Sequence, residues 1–118
     1  MSTFIPRPNP AIQPWYRIDS FILPEAAREE FLSAMHQNMA FIRTLPGFQG
    51  HRVFEKKAGD GPYNLVTLAT WESREALEAA GKEVRAYYQR MGFDMPGLLK
   101  RWGVVMVRAD YEAPAGLQ

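Results

Sequence analysis

Few residues in this chain combine a reactive side chain with a position suited to chemistry. There are two histidines, His36 and His51, and no cysteine. Histidine titrates near neutral pH and is the natural general base of such a set. His51 is preferred because its strand pairs with the one that ends in Trp71. Whether His51 or Arg52 shares a sheet face with Trp71 stays open, because the connecting turn is too long to fix the register. Asn38 falls within an apolar helical stripe, and a buried amide needs hydrogen-bond partners, in the backbone or in a ligand. Tyr87 and Tyr88 lie near the end of a second helix, where one phenol should face inward and orient a substrate oxygen. Thr67 and Ala69 share the face of Trp71 and are small enough to leave room beside its indole. The candidates are therefore Trp71 and His51 for catalysis, with Thr67, Asn38, Tyr87 and Arg52 for substrate binding.

Several other chemistries are excluded. Without cysteine there is no disulfide, thiolate metal site or cysteine nucleophile. Two histidines cannot build a three-histidine site, and neither has an acidic partner at ligand spacing. No metal or cofactor is expected. Gly59-Asp60-Gly61 lies in a hairpin, so it is no nucleotide fingerprint. Ser20, Ser33 and Ser73 lack the context of a nucleophile elbow. A net charge of +1 gives no electrostatic footprint for nucleic acid or an anionic membrane. No apolar run approaches the roughly 20 residues of a membrane span. Met1–Pro14 does not read as a secretory signal, and the expected location is cytoplasmic.

These residues must be positioned by a single domain, since 118 residues with 47% hydrophobic content suffice for one core. Pro6, Pro8, Pro10 and Pro14 make residues 1–14 an extended arm. Trp15–Leu23 reads as a strand, with Trp15, Arg17, Asp19, Phe21 and Leu23 on one face. Pro24 opens a helix whose stripe is Phe31, Ala34, Met35, Asn38, Ile42 and Leu45, and Pro46-Gly47 ends it. Phe48–Lys57 and Tyr63–Trp71 form a hairpin across the Gly-rich turn 58–62. Ser73 caps a second helix that buries Leu77, Ala80, Val84, Tyr87, Tyr88 and Met91, and Gly92 stops it. Phe93–Trp102 reads as irregular around Met95-Pro96-Gly97, with a short helical turn over Leu98–Trp102. Gly103–Tyr111 is a fourth strand, and residues 112–118 are a tail.

The order β-α-β-β-α-β predicts an α+β, ferredoxin-like fold, a four-stranded antiparallel sheet with two helices on one face. Val66, Leu68 and Thr70 alternate with Leu65, Thr67, Ala69 and Trp71, and Val104–Val107 is apolar throughout. Both sheet faces therefore call for burial, and one chain has helices for only one. A second copy packed sheet against sheet satisfies the other, which predicts a homodimer.

Residues 15–111 resemble the antibiotic biosynthesis monooxygenase family of the dimeric α/β-barrel superfamily. The resemblance rests on Phe31, Leu45-Pro46-Gly47-Phe48, Tyr63 with Leu65, and Thr70-Trp71-Glu72-Ser73 followed by Glu75-Ala76-Leu77. It implies a dimeric α/β barrel with a pocket in each subunit between sheet and helices. Some members oxidise polycyclic phenols or quinols with molecular oxygen and no flavin, haem or metal. In that chemistry the deprotonated substrate itself reduces oxygen. Trp71 matches the tryptophan that lines the pocket in active members. Thr67 stands where some oxygenases carry asparagine, and its hydroxyl lacks the amide's paired donor and acceptor. Gly81 stands where the haem-degrading branch carries its axial histidine, so haem degradation is not implied. The resulting expectation is a cofactor-independent monooxygenase acting on a small aromatic or polyketide-like compound. The alternatives are a non-catalytic small-molecule-binding dimer or an isomerase on the same fold.

Overall fold

The computed structural model describes residues 13–117. The proline-rich arm expected over residues 1–14 falls outside that range, residues 13 and 14 excepted. Four antiparallel strands form one sheet in the order β2-β3-β1-β4. They are β1 (Trp15–Ile22), β2 (Phe48–Glu55), β3 (Leu65–Trp71) and β4 (Val105–Tyr111). A 3-10 turn, Glu25–Ala27, leads into α1 (Arg28–Ile42), and α2 (Arg74–Met91) follows β3. The fold is the ferredoxin-like α+β arrangement that the element order predicts.

A third helix, α3 (Met95–Trp102), replaces the irregular segment expected there. Pro96 and Gly97 do not break it because they sit in its first turn. A missing N–H costs nothing at that point in a helix. The Asp94 side chain caps it by accepting from the Gly97 N–H at 3.2 Å. A Cβ at position 97 would collide with that carboxylate, so the glycine makes room for its own cap. Gly103, at φ 70°, ends the helix in the left-handed conformation.

β3 begins at Leu65 rather than Tyr63. Asn64 just before it bonds to both neighbours, its N–H donating to the Phe21 carbonyl and its carbonyl accepting from the Lys56 N–H, both at 3.0 Å. Its side chain holds Leu23 at the end of β1. Its Oδ1 accepts from the Leu23 N–H and its Nδ2 donates to the Leu23 carbonyl, both at 2.8 Å. Asn64→Ala strands both backbone groups at the end of the sheet. The expected loss is about 1–3 kcal/mol, read as a lower urea midpoint with unchanged slope.

Strand register sorts the side chains. Asp19 lies opposite Thr67 and Arg108, Arg17 opposite Ala69 and Asp110, and Phe21 opposite Leu65 and Met106. These residues face the helices. Phe21, Leu23, Ala27, Phe31, Leu65 and Val104 form one buried cluster. Trp71, Leu77 and Ala80 form a second, with Phe48 set edge-on to Trp71 at 5.4 Å. On the opposite sheet face Ile18, Val66 and Leu68 are half-buried. Phe54, Val105, Val107 and Tyr111 are 44–50% exposed.

Candidate functional site

Between the sheet and its three helices lies a cavity of about 590 Å³. Its floor includes Arg17, His51, Ala69, Trp71 and Arg108. Asn38, Met35 and Ile42 project into it from α1, Gly81 and Tyr88 from α2, and Leu99 and Trp102 from α3. The lining is mostly apolar, so the few polar groups stand out as points of orientation.

A one-residue irregularity decides which β2 side chain reaches this cavity. Phe48 lies opposite Trp71, yet Gly50 already lies opposite Thr70, so Gln49 is an extra residue in the strand. Such a bulge reverses the facing of everything beyond it. Phe48 and His51 therefore both face the helices although their numbers differ in parity, and His51 aligns with Ala69. Arg52, expected as a substrate contact, points to the opposite face instead. There its guanidinium lies 4.9 Å from the centre of the Phe54 ring.

The other candidates divide as follows. Trp71 is 3% exposed and lines the cavity. Asn38 lines it too, and its buried Oδ1 has no hydrogen-bond partner among the described residues. Thr67 is buried in the sheet between Asp19 and Val53 and does not form part of the cavity surface. Tyr87, expected inside, stacks face to face on Phe41 at 4.2 Å and is not a lining residue. Tyr88 takes the inward place. Helical spacing accounts for this, since at about 100° per residue position 88 returns to the face of Leu77 after three turns while position 87 lies well to one side. His36 is exposed and away from the cavity.

The floor also carries charges. Arg108 clasps Asp19 with two hydrogen bonds, Nε to Oδ1 at 2.8 Å and Nη2 to Oδ2 at 3.0 Å. Arg17 does the same to Asp110, at 2.8 and 3.2 Å. The bond from Arg17 holds the Asp110 carboxyl below its usual range against the opposing effect of burial, and the Trp15 indole N–H adds a smaller pull. The sequence held a signal for these pairs. Arg17 and Asp19 share the strand face of the apolar Trp15 and Phe21, where charge needs a partner.

Burial and the nearby Arg43 push the His51 imidazole below its ordinary value of 6.5, and Asp19 opposes them only weakly. At neutral pH His51 is uncharged and able to accept a proton. Burial raises the Tyr88 phenol, although Arg108 pulls the other way, so Tyr88 stays protonated and can donate. The cavity thus brings together a neutral base, a phenolic donor, an amide side chain and the edge of a buried indole.

Residues 18–89 match the model of the family described as antibiotic biosynthesis monooxygenase. Among solved structures, SnoaB, a cofactor-independent oxygenase from Streptomyces nogalater, superposes with a TM-score of 0.60 at 20% identity, covering 89% of this chain and 97% of its own. A dimeric ferredoxin-like protein from an uncultured marine organism gives 0.62 at 12% identity, covering 89% and 99%. A conserved protein from Methanosarcina mazei Go1 gives 0.67 at 12% identity, covering 88% and 96%. These likenesses show a shared fold. No curated protein matches the chain significantly. The family match spans more than half of the sequence and runs from β1 nearly to the end of α2, and the chain belongs to the antibiotic biosynthesis monooxygenase family.

Proposed function

We propose that the protein is a cofactor-independent monooxygenase that oxidises a small phenolic or polyketide-like compound with molecular oxygen in the cavity beneath the helices. The observation that carries this reading is a mostly apolar cavity in which the Asn38 side chain and the half-buried His51 are among the few polar groups of the lining. The amide of Asn38 offers both an acceptor and donors, so a modest turn of the side chain lets it bond a substrate hydroxyl. Neutral His51 takes a proton from the bound substrate. The resulting anion passes one electron to oxygen, and the radical pair combines to a peroxide on carbon. Protonated His51 returns its proton to the peroxide, and water leaves with the hydrogen of the peroxide-bearing carbon, so a carbonyl forms, one oxygen atom enters the product and the other leaves as water. Tyr88 and Arg108 donate to the developing anion, while the indole of Trp71 shapes a dry surface for the rings.

The apolar outer face of the sheet supports a homodimer as the working form. Light scattering is expected to give twice the chain mass of 13.5 kDa, and a monodisperse monomer would contradict it. The functional reading is tested by oxygen uptake of metal-stripped protein with anthrones, naphthols and hydroquinones. Uptake coupled to product formation is expected. Binding without uptake would favour a non-catalytic binding dimer or an isomerase.

A further inference from the structure

A groove of about 570 Å³ opens beside the cavity, between β1, β4 and α2. The two hollows share Arg17, Leu77, Gly81 and Arg85 in their linings and so lie side by side. Gly81 lies at that junction, where the side-chain atom nearest to a Cβ built on it would be the Arg85 Nη1 at 3.4 Å.

The groove differs from the cavity in what it leaves unsatisfied. It is lined by four cations, Arg17, Arg74, Lys82 and Arg85, against two carboxylates, Glu78 and Asp110. Both carboxylates are taken, Asp110 by Arg17 at 2.8 Å and Glu78 by Arg74 at 2.9 Å. Among the described residues Lys82 and Arg85 have no carboxylate partner. The Trp15 indole, also in the lining, has its Nε1 buried near Asp110, whose carboxyl it helps to hold low. Among the described residues the groups left without a counter-charge in the groove are therefore cations, whereas the cavity lining is mostly apolar.

We infer that the groove is a subsite for a carboxylate carried by the substrate itself, which makes the ligand an aromatic hydroxy acid. Its hydroxyl donates to Asn38 in the cavity. Its carboxylate reaches past Gly81 to lie against Lys82 and Arg85. The inference rests on the reading of the cavity as a phenol site, and extends it by naming the second polar end of the ligand.

Calorimetry on the full chain tests it. The probes are a hydroxynaphthoic acid with hydroxyl and carboxylate at opposite ends, its methyl ester, and the parent naphthol. The acid is expected to bind about tenfold more tightly than the ester at low ionic strength, an advantage that shrinks as salt is added. In the Lys82→Ala, Arg85→Ala double variant the ratio of acid to ester affinity falls to near one. The salt dependence of the unmodified protein gives an independent readout should the double variant fold poorly. Equal binding of acid and ester would overturn the subsite while leaving the phenol cavity standing. Failure of all three probes to bind would overturn the cavity reading and the subsite with it.

Discussion

Replacing His51 with glutamine lowers turnover of a phenolic substrate by about 10²- to 10⁴-fold, the range supplied by a positioned general base. Glutamine keeps a polar group of similar reach in β2 but cannot take up a proton at neutral pH. The wild-type rate should have an acid limb below 6.5, because burial and Arg43 hold the His51 imidazole below that value. The sign follows from the direction of the shift. As pH falls, the unfolded chain takes up the proton near the ordinary value and the folded chain resists it. Stability contributed by this group is therefore complete above 6.5 and is lost as pH falls toward and through the lower folded value. His51→Gln removes both the acid limb of the rate and this part of the acid sensitivity. Turnover of the variant within about threefold of wild type would place the base elsewhere.

Trp71→Ala is expected to destabilise the protein by about 3–5 kcal/mol, the usual cost of deleting a large buried aromatic side chain. The indole is 3% exposed and packs among Leu77, Ala80, Phe48, Ile42 and Leu45, joining α1, α2 and β2 at the end of β3. Chemical denaturation at neutral pH measures the loss. For a domain of this size it is a large share of the total, roughly 6–18 kcal/mol. Trp71→Phe keeps much of the packing and separates the stability role from the role in the cavity. Its folded state should survive while ligand affinity falls. A loss below about 1 kcal/mol in the alanine variant would mean that this end of the core is not held by the indole.

The architecture was legible because it rests on patterns that survive local irregularity. Alternation in Trp15–Leu23 and Leu65–Trp71 identified strand faces, and the spacing of Phe31, Ala34, Met35, Asn38 and Ile42 identified the inward side of α1. All five of those α1 residues line the cavity. The site was legible only where such a pattern was unbroken. The extra residue at Gln49 turns β2 over, and its one local signal is Gly50, a glycine inside a strand that carries no weight until the register is seen. Arg52 and His51 could not be separated for that reason. The choice of Tyr87 over Tyr88 was different, since helical phase alone favours Tyr88. α3 was obscured because Pro96-Gly97 stops a helix in its interior but not in a first turn capped by Asp94. The Asp19–Arg108 and Arg17–Asp110 pairs depend on β1 lying beside β4, a contact between residues about ninety positions apart.

The most direct test of the central claim is turnover of a phenolic substrate under isotopically labelled dioxygen, with metal-stripped protein and a chelator present. The mechanism predicts a product heavier by one labelled oxygen atom, formed with equal consumption of oxygen and slowed by His51→Gln. A product whose new oxygen comes from water, or one that forms equally well without oxygen, would contradict it.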